Sequence, residues 1–324
     1  AYVIEKVAAE IRKIDTDAKI NFATALFDYG WTKNILDAGL DDCVDIIGVH
    51  IYKDIWPTLS YPELAGTIIK EGKEVTDSEH TTYEEQVKAY QSLLSAYPRD
   101  IQVMITEVSE PEGLLANAVG EGDVLAKWLT RQYATDKLLG IDGTFWFTVD
   151  PISAPRIVTT LVDTNGNRTP AWYALQNYNS VFSGTNKESL QTLNITGQTD
   201  NLKYGVFENE TEYVIPYWYA VSFLEDFKDG LINVDLSDFC TRDVTAVDLL
   251  TGKEQKINIE NGIAKNLIVK DYVNVLKIKK LRNDGNAWKE ITETDGIGMG
   301  GNGHDTYTQI SYSKDITSDG NGSA

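Results

Sequence analysis

From residue 2 to residue 184 the chain alternates two apolar periodicities, and no other feature constrains its fold as tightly. Val3, Val7, Ile11 and Ile14 recur at helical spacing as an apolar stripe and predict a helix over 2–14. Residues 19–23 form a short strand, and Trp31, Ile35, Leu36 and Leu40 mark a helix over 31–40. Residues 44–52 are a strongly apolar strand, followed by a long loop from Lys53 to about Thr81. Tyr83, Val87, Tyr90, Leu93 and Leu94 give a helix over 82–96, stopped by Pro98. Val103, Met104 and Ile105 lead into Thr106 and Glu107 as a buried strand with a polar end. Asp123 is placed to cap a helix over 124–139 that Gly140 closes, and residues 143–149 make the fourth strand. Pro170 opens a last helix that ends at Gly184. Four strands joined by helices require a parallel α/β sheet with the helices outside it.

The strand ends carry the chemistry. Glu107 sits where its strand leaves the core, the position at which barrel folds place catalytic groups. Taken alone, it reads as a solvated glutamate that caps the next loop, and what shifts the balance is that the neighbouring strands share its layout. His50 and Tyr52 are two residues apart on a strand, so both point to one face. His50 is either a satisfied internal histidine or a substrate contact, and Tyr52 either packs or hydrogen-bonds a neighbouring carboxylate. Trp146, within Phe145-Trp146-Phe147, is either core or an aromatic surface for a ligand, whereas Phe145 and Phe147 read as core. Trp56 and Tyr61 on the long loop either contact ligand or hold the loop down. Glu110 and Glu112 read as loop charges, and Asp45 and Asp150 as groups that fix loops.

Past about residue 188 the period shortens. Runs at 190–195, 202–208, 213–221, 231–236, 244–249, 255–259 and 272–278 read as short strands, punctuated by Asn209-Glu210, Asp229-Gly230, Thr251-Gly252 and Asn261-Gly262. That spacing predicts an antiparallel β-sandwich over 185–281. Residues 282–324 turn rich in Gly, Asp, Ser and Thr, as a tail or the start of a further module. Their Gly296–Gly303 run lacks the Lys-Ser/Thr ending of a phosphate loop.

A net charge of −20 disfavours nucleic acid and anionic membranes as partners. It suits an extracellular or cell-surface protein that handles neutral substrates. No apolar run is long enough to span a bilayer, so no membrane insertion is expected. Cys43 and Cys240 lack metal spacing and read as buried free thiols. With only three histidines, neither a metal centre nor a cofactor is expected.

His50-Ile51-Tyr52, Ile105-Thr106-Glu107 and Phe145-Trp146-Phe147, in that order and spacing, resemble the last three strands of clan A glycoside hydrolases, and Pro170-Ala171-Trp172 resembles the entry to their last helix. The resemblance covers residues 1–184 and implies the C-terminal half of a TIM (β/α)8 barrel, followed by the sandwich. It implies a retaining hydrolase of β-linked polysaccharide or its oligosaccharides, with Glu107 as nucleophile. His50, Tyr52, Trp146 and Trp56 would line the carbohydrate site. The clan's acid/base glutamate, which follows an asparagine, has no counterpart ahead of residue 19; Asn209-Glu210 lies at a turn of the later region. The resemblance therefore places the acid/base and the first four strands before residue 1, and makes that N-terminal half a possible partner. The competing reading is a carbohydrate-binding or scaffold protein without catalysis.

Overall fold

The computed structural model describes residues 2–51, 61–109, 123–141, 143–150, 159–184, 187–189, 191–239 and 243–280. The elements run α1 (Tyr2–Ile14), β1 (Asn21–Thr24), α2 (Tyr29–Asp37), β2 (Ile46–Ile51), β3 (Thr67–Lys70), β4 (Lys73–Thr76), α3 (Tyr83–Leu94), β5 (Gln102–Val108), α4 (Val124–Leu138), β6 (Thr144–Trp146) and α5 (Pro170–Phe182). Strands β1, β2, β5 and β6 pair in parallel in that order, so the α/β expectation holds; among the described residues they make a four-stranded sheet and not a closed barrel. Among the described residues, β1 and β6 are its edges.

One face of this sheet is packed. Ile47, Val49, Ile51, Val103, Ile105 and Val108 are almost fully buried and join Leu36, Tyr83, Val87, Tyr90, Trp128 and Leu129 from the helices in one core. The local signals at the helix starts are strong. Thr82 and Glu85 form a reciprocal capping box on α3, Asp28 caps α2 and Thr169 caps α5 ahead of Pro170. Gly140 and Gly184 both take positive φ after their helices, as the sequence requires. Asp123, in contrast, makes no side-chain cap on α4.

Helix α1 spans the expected residues. Its apolar stripe faces solvent: Val3, Val7, Ile11 and Ile14 are exposed, and only Ala8 is buried. The helix is tied to the sheet through Asp45, which receives Arg12 Nη2 at 2.7 Å, Arg99 Nη2 at 2.6 Å and the Ile20 N–H at 2.8 Å. Burial pushes the Asp45 carboxyl up, but these donors outweigh it and hold it below the ordinary range.

The remaining strands are β7 (Lys187–Glu188), β8 (Asn194–Gly197), β9 (Leu202–Tyr204), β10 (Phe207–Glu208), β11 (Glu212–Tyr219), β12 (Gly230–Asp235), β13 (Val244–Asp248), β14 (Glu254–Lys256), β15 (Ile259–Glu260), β16 (Ile263–Val269) and β17 (Asn274–Lys279). Strand β16 lies in a stretch that the sequence reading left between strands. A seven-stranded sheet is ordered β14-β13-β17-β11-β10-β7, with β9 also on β11, and a four-stranded sheet is ordered β15-β16-β12-β8; their pairings are antiparallel. Ile215, Tyr217, Leu276 and Ile278 of the larger sheet share a core with Ile232, Val234, Leu267 and Val269 of the smaller. The other face of the larger sheet, through Val214, Trp218, Val247 and Val275, packs on Tyr178, Val181 and Phe182 of α5. Burial on both faces explains why β11 reads as a continuous apolar run. Pro216 is tolerated inside it because its peptide edge faces the break between β9 and β10, where Gly205 N–H donates to the Pro216 carbonyl at 3.3 Å.

Helix α4 lies between the parallel sheet and the larger antiparallel sheet. Its Arg131 is fully buried and grips Glu63 through Nε at 2.9 Å and through Nη2. Arg131 Nη1 also donates to the carbonyls of Val221 and Asp271, at 2.9 and 3.1 Å, and Trp218 Nε1 donates to Glu63 at 2.6 Å.

Candidate active site

Simple alternation would turn Glu107 to the packed face, in parity with Val103 and Ile105. A β-bulge prevents this. Val49 pairs with Ile105, but the next residue, His50, pairs with Glu107, so β5 carries an extra residue at Thr106. Thr106 and Glu107 both come to the face opposite the helices, and Val108 returns to the packed side with no exposure.

The consequence is a pair of polar side chains at the C-terminal ends of adjacent parallel strands. His50 Nδ1 lies 3.3 Å from Glu107 Oε2, with 27% and 32% of the side chains exposed. Below them, toward the strand starts, is a small floor. A Cβ on Gly48 would meet Thr106 Cγ2 and Oγ1 at 2.8 Å and Asn21 Oδ1 at 2.9 Å, so glycine lets Asn21 and Thr106 lean over the strand between them. Thr106 Oγ1 is itself buried without a hydrogen-bond partner. An ionised Glu107 accepts only, so Nδ1–H is what the imidazole can offer it.

The pleat separates Trp146 from this pair. Trp146 aligns with Val108 and so faces the helices; it is buried, its ring meets that of Trp128 at 6.0 Å and 66°, and its Nε1 donates to the Thr159 carbonyl at 2.8 Å. This is the core reading of Trp146, and the packing corrects its use as an open sugar platform. Phe145, expected in the core, is instead 54% exposed on the opposite face. Tyr52 and Trp56 lie outside the described residues, as do Glu110 and Glu112. Cys43 is a free buried thiol, and Cys240 falls outside the described residues. Among the described residues, no group of three metal-ligating side chains converges and no helix is long and apolar enough to cross a membrane.

Missed by sequence reasoning was the content of the long loop. It contains the β3–β4 hairpin, with Glu71 and Gly72 both at positive φ. Glu-Gly is a weaker hairpin signal than Asn-Gly, because glutamate seldom adopts that conformation.

The fold with these parallel strands is similar to the folds of glycoside hydrolases of known structure. No family model matches the chain, and no curated protein sequence does. Among solved structures, a family 39 glycoside hydrolase from the gut symbiont Bacteroides cellulosilyticus matches with a TM-score of 0.55 at 18% identity, over 85% of this chain and 54% of that one. An α-L-arabinofuranosidase from Thermotoga maritima gives 0.56 at 10% identity, over 85% and 61%. A family 51 arabinofuranosidase from Xanthomonas axonopodis gives 0.51 at 11% identity, over 85% and 62%. At these identities the likeness concerns the fold, and the chain spans little more than half to about three fifths of each protein's length.

Proposed function

We propose that the chain contributes to a retaining glycoside hydrolase of β-linked polysaccharide or its oligosaccharides, with Glu107 as the nucleophile. The observation that carries this reading is the bulge-made pairing of Glu107 with His50 at 3.3 Å on the open face of the sheet. A carboxylate at that point is about one third exposed and can reach an anomeric carbon, while His50 orients it and offers Nε2 to a sugar hydroxyl. We assign the aromatic contact with the sugar ring to Phe145, because Trp146 is committed to Trp128. Tyr52 and Trp56 remain proposed contacts from the loop that follows β2.

Retention requires a second carboxyl about 5 Å from the first. We place it on further βα units that pair with the edge of β1, in a longer polypeptide or on another chain. Three features support that completion. Among the described residues strand β1 is an edge, its Asn21 and Ala23 are exposed on the face that bears Glu107, and the adjacent α1 shows solvent an apolar stripe. We read 185–281 as an accessory β-sandwich, supported by the shared core of the two antiparallel sheets. A cell-surface or extracellular location fits the acidic charge.

The test is covalent trapping. An activated 2-fluoro glycoside, offered to the chain together with its completing half, should label the peptide that contains Thr106-Glu107, and Glu107→Gln should abolish both labelling and turnover. Labelling at another carboxylate, or a Glu107→Gln protein with ordinary turnover, overturns the assignment.

A further inference from the structure

A second site lies on the same end of the sheet as Glu107. Residues 28–30 follow the C-terminal end of β1, and the β3–β4 hairpin and His80 follow that of β2, so all project past the strand ends. Together they enclose a cavity of about 690 Å³ whose walls include Tyr29, Ile68 and Val75, with Lys70, Glu79 and His80 at its polar margin.

His80 is held with unusual care for a surface residue. Asp77, almost fully buried, accepts the backbone N–H groups of Glu79 and His80 on one carboxylate oxygen, at 3.0 Å each. Its other oxygen meets His80 Nδ1 at 2.8 Å and Gln86 Nε2 at 3.1 Å. Gln86 is fully buried and exchanges hydrogen bonds with Gly66 that fix the base of the hairpin. Burial pushes the Asp77 carboxyl up, yet these donors more than offset it and leave it below the ordinary range, so it is ionised and accepts only. Nδ1 therefore carries its hydrogen, and the ring presents Nε2 outward with 26% of the side chain exposed. The Tyr29 ring neighbours the imidazole, with the ring centroids 5.6 Å apart and the planes tilted by 32°.

We propose that this groove binds an uncharged sugar residue of the polysaccharide, as a docking subsite separate from the Glu107 centre; the proposal rests on the glycan reading above. A sugar matches the groove in each respect. Its C–H face can lie on the partly exposed Val75 and Tyr29, and its hydroxyls can donate to His80 Nε2 and to Glu79. Lys70 is engaged with Glu79 at 3.4 Å, and the chain carries a net charge of −20, so anionic glycans are disfavoured.

Affinity electrophoresis of the full chain in gels containing soluble mixed-linkage β-glucan, arabinoxylan or polygalacturonate tests this directly. At least one of the two neutral glycans should retard the protein, and the polyanion should not. His80→Ala removes one ligand hydrogen bond and should weaken retardation about tenfold. Ser78→Trp, which fills the groove and leaves the Asp77 contacts in place, should do the same without relying on the stability of the His80 loop. Glu107→Gln should be retarded like the parent. Failure of both neutral glycans to retard the chain, or undiminished retardation of both groove variants, overturns the subsite. Retardation lost in Glu107→Gln but kept in His80→Ala places the ligand at the strand-end centre and overturns it too. The hydrolase reading fails separately, by its labelling test, whatever the gels show.

Discussion

Removing the Arg131 guanidinium should separate the two halves of this chain before it unfolds either of them. In Arg131→Met the volume is roughly kept, but Glu63, only 7% exposed, retains Trp218 Nε1 and loses the cation. An unpaired buried charge costs about 3–5 kcal/mol. The Val221 and Asp271 carbonyls lose their donor as well, at about 1 kcal/mol each or more if water cannot reach them. The cation also gives up its place 4.6 Å from the Phe223 ring. These terms overlap, so the expected loss is about 4 kcal/mol, a large part of the 5–15 kcal/mol typical of a folded protein. Glu63 precedes β3, Arg131 is on α4 and Trp218 is on β11, so the loss falls on the contact between the α/β sheet and the antiparallel sheets. Urea unfolding followed by tryptophan fluorescence and far-UV circular dichroism should show coincident transitions for the parent and separated ones for Arg131→Met. The double variant Glu63→Met, Arg131→Met removes the stranded charge and should recover part of the loss, leaving one indole N–H unpaired. A loss under about 1 kcal/mol for Arg131→Met, or a double variant worse than the single, would refute the account.

Two other perturbations follow from the same kind of bookkeeping. Gly48→Ala drives a methyl group into Thr106 and Asn21, and should cost about 1–3 kcal/mol in urea unfolding and disturb the bulge that presents Glu107, lowering 2-fluoro glycoside labelling. Asp45 has its carboxyl held low in the folded state, so its stabilising contribution is present above the unfolded value near 4 and is lost as pH falls through the lower folded value. Asp45→Asn should therefore weaken the chain at neutral pH and flatten the acid side of its stability profile, and equal acid sensitivity in variant and parent would contradict the ion-pair account.

How much of this could be read from the sequence differs by element. The alternation of helix and strand, the glycines that close α4 and α5, and the strand leading to Glu107 all follow from local patterns, and local patterns survive in the folded chain. Parity along a strand does not survive a bulge. Counting from Val103 and Ile105 turns Glu107 to the packed face, and only the pairing with His50 shows the inserted residue. On β6 the difficulty is reversed: in Phe145-Trp146-Phe147 every residue is aromatic, so composition cannot say which one faces the helices, and the neighbouring strand decides it for Trp146. The apolar stripe of α1 was legible as a stripe, but its exposure depends on what else packs there, which no periodicity encodes. The Glu63–Arg131 contact joins residues 68 apart in sequence and carries no local signature at all.

The placement of Glu107 and His50 on one pair of strands implies a division of labour that leaving groups can report. In the proposed mechanism, attack by Glu107 needs only the nucleophile side of the site when the departing group is stable as an anion. A sugar alcohol is not, and needs proton donation from the second carboxyl, worth typically ~10²–10⁴-fold in rate. If that carboxyl lies across the edge of β1, the 324-residue chain should at most release dinitrophenolate slowly and should leave alkyl glycosides and oligosaccharides intact. Supplying the completing half should then accelerate the poor leaving groups far more than the good ones. Measured as a plot of rate against leaving-group pKa, the slope should be steep for the chain alone and shallow for the completed enzyme. An equally shallow slope in both states would mean that proton donation already resides within these residues, and that the acid must be sought among the carboxylates of this chain; an equally steep one would mean that the added half does not supply it.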